Sequence, residues 1–210
     1  DLVLALHLSG PAQLLERELD RPELREYTQV IIKEADRLQA LMDRLLTPHR
    51  PPQSVTMNIH EVCERVRSLI LAEFPAGLRI RRDYDTSIPE FSGDREQLIQ
   101  ATLNIARNAA QAMAGVGEIR FRTRIVRQVT ITKKRYRLAL ELQVIDDGPG
   151  IPADIRDRIF FPLVSGREGG SGLGLTLAQT FVQHHNGLIE CDSEPGRTSF
   201  KILLPLKAAG

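Results

Sequence analysis

Asp146-Asp147-Gly148-Pro149-Gly150-Ile151 follows directly on the apolar run Leu140–Ile145. The run reads as a strand, so the motif sets a carboxylate at a strand's end. Gly148 and Gly150 permit positive φ and carry no Cβ. A flat ring can therefore approach the backbone while Asp146 accepts a hydrogen bond from an exocyclic amine, which is what an adenine needs. Read alone, Asp-Gly-Pro-Gly is more often ordinary tight-turn chemistry. Its neighbours along the chain decide between the two.

Downstream, Gly169-Gly170-Ser171-Gly172-Leu173-Gly174-Leu175 leads into a helix expected to begin near Thr176. Successive backbone N–H groups at a helix N-terminus favour anions, so this segment reads as a phosphate cradle, with a flexible linker as the alternative. It lacks the Lys-Ser/Thr ending of a P-loop and does not follow a strand as a dinucleotide fingerprint should, so neither of those mechanisms is supported. Between the glycine clusters, Phe160-Phe161-Pro162-Leu163 precedes the polar stretch Ser165-Gly166-Arg167-Glu168. That stretch is long enough to act as a lid, with Arg167 in reach of phosphate and the aromatics either lining the site or anchoring the loop in the core. Upstream, Asn104 and Asn108 fall at i and i+4 on an otherwise apolar helix and share one face. A carboxamide oxygen is a hard ligand suited to Mg²⁺, and Asn108 is the expected metal ligand. A hydrogen bond to a neighbouring loop is the alternative use of either amide.

The rest of the chain divides by periodicity. From Pro22 to Leu46, Leu24, Ile31, Ala35, Leu38, Met42 and Leu45 recur at spacings of three and four apart from one skipped turn, a helical seam ended by Pro48. A shorter helix, Pro11–Leu19, precedes it across the turn Asp20-Arg21-Pro22. Residues 1–50 thus read as a helical hairpin whose exposed apolar stripes suit a dimer, and 51–57 as a linker. In 58–207 the pattern is mixed. Asn58 is a plausible N-cap for a helix Ile59–Glu73, and a second helix starts near Asp94 and ends by Gly115. Strands are expected at Leu78–Tyr84, Ile119–Val126, Val129–Thr132, Leu138–Ile145, Leu188–Cys191 and Ser199–Leu204, with Lys133-Lys134-Arg135 as a charged turn. Leu177–His184 reads as the last helix, closed by Asn186-Gly187.

Bulk properties narrow the class. Hydrophobic residues at 42% and charged residues at 26% are those of an ordinary globular chain. No apolar run approaches the roughly 20 residues that span a bilayer, and the apolar opening lacks a basic leader, so no membrane and a cytoplasmic setting are expected. With 28 basic against 27 acidic side chains there is no electrostatic reason to expect nucleic acid as a partner. Cys63 and Cys191 lie far apart and read as buried thiols.

Taken in order, the four motifs resemble the ATP-binding domain shared by histidine kinases, type II topoisomerases, a heat-shock chaperone and mismatch-repair ATPases. Asn104–Ala109 looks like that group's N box, Asp146–Gly150 its first glycine box, Phe160–Pro162 its F box and Gly170–Leu175 its second glycine box. The resemblance implies an α+β fold, in which a helical hairpin of dimerisation type is followed by an α/β sandwich of the histidine-kinase (Bergerat) type. It implies ATP and Mg²⁺ as ligands. It implies ATP contacts from Asn104, Asn108, Asp146, Gly148, Gly150, Ile151, Phe161, Arg167, Gly170, Ser171, Gly172, Leu173, Gly174 and Leu175.

ATPases of the group usually carry a glutamate four residues before the metal-binding asparagine, where it activates water. Here that residue is Asn104, and a neutral amide is a poor general base, so transfer to a protein nucleophile is the better reading. Ala12-Gln13-Leu14-Leu15, Ala35-Asp36-Arg37-Leu38, Arg82-Asp83-Tyr84-Asp85 and Val164-Ser165-Gly166-Arg167-Glu168-Gly169-Gly170 resemble the nitrogen-regulation sensor kinases of the NtrB family. That implies phosphorylation of a histidine, transfer to an aspartate of an NtrC-type response regulator, a phosphatase role under a PII signal protein, and a homodimer. The family's acceptor lies in a His-Glu-x-x-Asn-Pro segment, whereas this chain offers His7-Leu8-Ser9-Gly10-Pro11. Aligned on Ala12-Gln13, the family's histidine falls at or before Asp1, and His7 is a candidate that lacks the acidic neighbour. An ATP-binding regulatory module that acts by protein contact is the competing expectation.

Overall fold

Asn58 and Asp94 start the two long helices of the mixed region with the same device. Asn58 Oδ1 accepts from the backbone N–H of His60 at 2.9 Å, and Asp94 Oδ1 accepts from that of Gln97 at 3.0 Å. Each satisfies one of the N–H groups a helix start leaves without a partner. The computed structural model describes residues 53–166 and 171–206. The helical hairpin expected in 1–50, His7, Arg167 and Gly170 lie outside those residues.

Helix α1 spans Ile59–Glu73 and buries Ile59, Val62, Cys63, Val66 and Ile70, a stripe at helical spacing. Helix α2, Arg95–Ala112, buries Leu98, Ala101, Ile105 and Ala109. Helix α3, Gly174–His184, starts a few residues earlier than the sequence pattern suggested. The strands are β1 Ser54–Met57, β2 Leu78–Asp83, β3 Phe91–Asp94, β4 Gly117–Ile131, β5 Lys134–Asp146, β6 Leu188–Glu194 and β7 Arg197–Pro205. Five of them form a sheet in the order β2-β4-β5-β7-β6, parallel between β2 and β4 and antiparallel elsewhere.

Alternation along the strands decides which face is covered. Ile119 and Phe121 of β4, Leu140, Leu142 and Val144 of β5, and Phe200, Ile202 and Leu204 of β7 are buried in one cluster with the apolar stripes of α1, α2 and α3. The helices therefore lie on one face of a mixed sheet, the expected α+β arrangement. Among the described residues no helix is long and apolar enough to cross a membrane. Cys63 is buried, whereas Cys191 is only half-buried on β6, and both are free thiols.

Three local features differ from the sequence reading. Ser54–Met57, expected within a linker, pairs antiparallel with Phe91–Asp94 as a two-stranded sheet. Strands expected at Ile119–Val126 and Val129–Thr132 are one strand: Gln128 takes a positive φ of 53°, yet Arg127↔Leu138 and Val129↔Tyr136 keep one register. The charged turn tightens to Thr132-Lys133, both at positive φ, as a two-residue hairpin connection requires.

Candidate functional site

β5 delivers Asp146 to the helix-covered face at its last residue. Its cross-strand neighbours are Ile119 on β4 and Thr198 on β7, and Thr198 in turn pairs with Ser193 on β6. Asp146 is 5% exposed, and its Oδ1 accepts from the Gly148 N–H at 3.0 Å. Burial raises its carboxyl above the ordinary aspartate range, the Gly148 N–H opposes that shift, and the neighbouring Asp147 charge adds to it. A buried acceptor of this kind suits a neutral donor such as an exocyclic amine.

The glycines beside it are needed for close approach. A Cβ on Gly148 would lie 2.7 Å from Asp146 Oδ1 and 3.1 Å from Met113 Cγ. Gly150 sits at φ 85°, where a Cβ would come within 3.0 Å of the Glu194 carbonyl group. The turn joining β6 and β7 holds this loop from behind. Gly196 donates to Gly148 O at 2.9 Å, Ile151 donates to Ser193 Oγ at 2.8 Å, and Ser193 Oγ lies 2.9 Å from Thr198 Oγ1. Ile151 thus takes part through its backbone.

At the other end of the site, α2 meets the start of α3. Asn104 is buried, and its Nδ2 donates to Gly174 O at 3.0 Å while Gln100 Nε2 donates to Asn104 Oδ1 at 3.0 Å. A Cβ on Gly174 would stand 3.8 Å from Asn104 Cγ and 3.9 Å from Asn108 Nδ2. The two asparagines of one helix face therefore converge on the first residue of the next helix, and Asn104 is engaged in holding it. Leu173 is buried and Leu175 packs against the core, while Ser171 is half-buried.

The segment between the glycine clusters folds back on the second of them. Leu163 N donates to Gly172 O at 3.1 Å, and Thr176 Oγ1 donates to Phe160 O at 3.0 Å. Gly172 has φ 64°, and a Cβ there would fall 2.5 Å from Leu163 C. The two phenylalanines separate: Phe160 packs edge-on against Phe200 with ring centroids 6.3 Å apart, whereas Phe161 is exposed.

Sequence reasoning passed over four residues that build this site. Ser193 and Thr198 are buried polar groups beside Asp146, Met113 packs against Gly148 and Gly117, and Gln100 fixes Asn104. Polar residues in the apolar strand Arg197–Pro205 were a signal for Thr198, but the register that brings it to Asp146 is tertiary. Gln100, four residues before Asn104, was legible as an i,i+4 partner.

Residues 93–208 match the family described as histidine kinase-, DNA gyrase B-, and HSP90-like ATPases. Over 201 residues the chain is 51% identical to the sensory histidine kinase/phosphatase NtrB of Salmonella typhimurium, covering 95% of this chain and 58% of that protein. The chain thus spans little more than half the length of this relative. The mycobacterial sensor histidine kinase MprB is 26% identical, with a TM-score of 0.59 over 74% of this chain and 98% of its own. Histidine kinase ThkA, solved with the response regulator TrrA, is 20% identical with a TM-score of 0.63, over 98% of this chain and 59% of its own, a likeness of fold.

Proposed function

The chain belongs to the histidine kinase-, DNA gyrase B-, and HSP90-like ATPase family, and from that membership we propose that it is the ATP-dependent core of a nitrogen-regulation sensor histidine kinase. What supports the reading most is the meeting of sequence-distant pieces: Asn104 and Asn108 converge on Gly174, and a buried Asp146 stands beside the Cβ-free Gly148. Asp146 accepts from the adenine N6 amine, and the backbone around Gly172–Gly174 and the α3 N-terminus receive the phosphates.

The donor set fits a magnesium ion shared with phosphates. Among the described residues no group of three or more His, Cys, Asp or Glu is placed to cage a metal; the Asn108 carboxamide beside Gly174 would be the protein's own ligand to the ion. Bound there, Mg²⁺ would neutralise phosphate charge. Asn104 has its amide committed to Gly174 and Gln100, and offers no base to activate water. The γ-phosphoryl group then passes to a histidine: an imidazole nitrogen forms the N–P bond, the bond from γ-phosphorus to the β–γ bridging oxygen breaks, ADP leaves with that electron pair, and the imidazole proton goes to solvent.

From this core the phosphoryl group passes to an aspartate of an NtrC-type response regulator, with a homodimer, a PII signal protein, a phosphatase role and a cytoplasmic setting completing the reading. The ThkA complex with TrrA supports the response-regulator class. A regulatory ATP-binding module acting by contact is the second reading; His7-Leu8-Ser9-Gly10-Pro11 lacks the family's Glu-x-x-Asn-Pro pattern, so His7 itself does not match the family's acceptor. Incubation with γ-labelled ATP and a histidine-bearing acceptor separates them. Acid-labile label on protein is expected, whereas tight ATP binding without label would favour the module and free phosphate a hydrolase.

A further inference from the structure

Gln100, Asn104 and Gly174 form a chain of amides with a fixed sense. Gln100 Nε2 donates to Asn104 Oδ1 at 3.0 Å, and Asn104 Nδ2 donates to Gly174 O at 3.0 Å. The Gly174 carbonyl accepts, so Asn104 must present its NH₂ there. Its oxygen then points the other way and requires a donor. Gln100 supplies that donor from one turn earlier on α2, four residues away on the same face. It is exposed, so its own packing contributes little to the core.

We propose that Gln100 is a positioning residue that sets the orientation of the Asn104 amide and thereby holds the first turn of α3 against α2. Asn104 is 7% exposed, so a flipped amide there has few other partners. Flipped, its Oδ1 would oppose the Gly174 carbonyl oxygen, two acceptors face to face at hydrogen-bond distance. Gly174 lies inside the turn in which Leu177 N donates to Leu173 O at 2.9 Å, so displacement of Gly174 loosens the whole first turn. A role for this turn in holding phosphate rests on the nucleotide-binding reading above. The amide chain itself does not.

The sense of the chain makes Gln100→Glu the telling substitution. Glutamate has the same size and is a good helix former, so a side chain that merely fills space would be replaced without loss. Its carboxylate can only accept, however, and draws the Asn104 NH₂ away from Gly174. Gln100→Ala instead leaves Asn104 Oδ1 to water and its NH₂ on Gly174. A negative charge near the start of α3 would by itself steady that helix. Without the amide chain Gln100→Glu therefore tightens the turn, and with it the turn loosens.

Hydrogen exchange of the ligand-free full chain decides this, read at the backbone amides of Leu177 and Ala178, the first in this helix with helical acceptors. Gln100→Glu is expected to speed their exchange about three- to tenfold, the loss of one buried hydrogen bond, with Gln100→Ala between it and wild type. Exchange in Gln100→Glu equal to or slower than wild type, or faster in Gln100→Ala than in Gln100→Glu, would overturn the proposal. Titration with Mg-ATP and Mg-ADP runs alongside on the same proteins. The expected exchange pattern in a wild-type chain that binds no ATP would sustain the amide chain and sink the nucleotide reading, so the two failures are distinguishable.

Discussion

Asp146 and Thr198 stand opposite each other at the ends of β5 and β7, on the face of the sheet that the helices cover. The pairing sets a buried carboxylate beside a hydroxyl that is itself tied to Ser193, so the wall on which adenine is proposed to lie is held by two strands and the turn between β6 and β7. The strain of keeping an acid there has a measurable sign.

Asp146→Asn is expected to weaken ATP binding by roughly 1.5–3 kcal/mol, the range for a hydrogen bond to a charged group. It should stabilise the ligand-free protein at neutral pH. The carboxyl is raised in the folded state by burial, so the folded protein holds that proton more tightly than the unfolded chain. The resulting stability is fully present below the unfolded pKa and is lost as pH rises through the folded one. Thermal melts at pH 4 and pH 7 with calorimetric titration check both halves, and a lower melting point for Asp146→Asn at pH 7 would contradict the burial argument.

Asn108→Ala is expected to reduce the gain in ATP affinity that Mg²⁺ provides, because the proposed carboxamide ligand is removed while Asp146 and the glycine loops remain. Titrations with and without magnesium measure it. An unchanged magnesium effect would remove Asn108 from the metal site.

Where local chemistry dominated, the fold was legible. Asn58 caps α1 as its sequence position suggested, and β5 ends at Asp146. What was not legible depends on partners distant in sequence. Ser54–Met57 and Phe91–Asp94 are four residues each, too short for a periodic signal to stand out from the flanking chain, and their mutual pairing is what makes them strands. The polar pair Arg127-Gln128 separates the two expected strands Ile119–Val126 and Val129–Thr132, yet the facing strand carries the ladder past it. At the site, both asparagines could be placed on one face from their spacing, but that Asn104 is spent on Gly174 follows only from α3 being packed beside α2.

Gly172→Ala and Gly196→Ala separate two kinds of glycine. Both positions have positive φ, 64° and 85°, but a Cβ on Gly172 would meet Leu163 C at 2.5 Å while nothing lies within 4 Å of one on Gly196. Gly196→Ala is expected to cost about 1 kcal/mol from backbone strain alone. Gly172→Ala must also shift the Leu163–Val164 backbone, and is expected to lower ATP affinity with the core intact. Chemical denaturation and ATP titration of the two variants compare them, and equal ATP affinities would show that the loop around Gly172 does not shape the pocket.

His7→Gln should leave ATP binding unchanged and remove no label from an acceptor supplied in trans, since His7 is followed by Leu8 where the kinase family has an acidic residue. Nucleophilic attack needs an oriented imidazole with raised basicity, and Leu8 supplies no carboxylate to raise it. Label that vanished from this chain on substitution of His7 would make it an acceptor after all.

The most direct test mixes this chain with a homologue that carries an intact His-Glu-x-x-Asn-Pro segment but whose own ATP site has been inactivated, and supplies γ-labelled Mg-ATP. Acid-labile, base-stable label on the homologue is expected, and it should disappear when this chain carries Asp146→Asn together with Asn108→Ala. Label that never appears while this chain binds ATP tightly would contradict the kinase reading and leave a nucleotide-binding module that signals by contact.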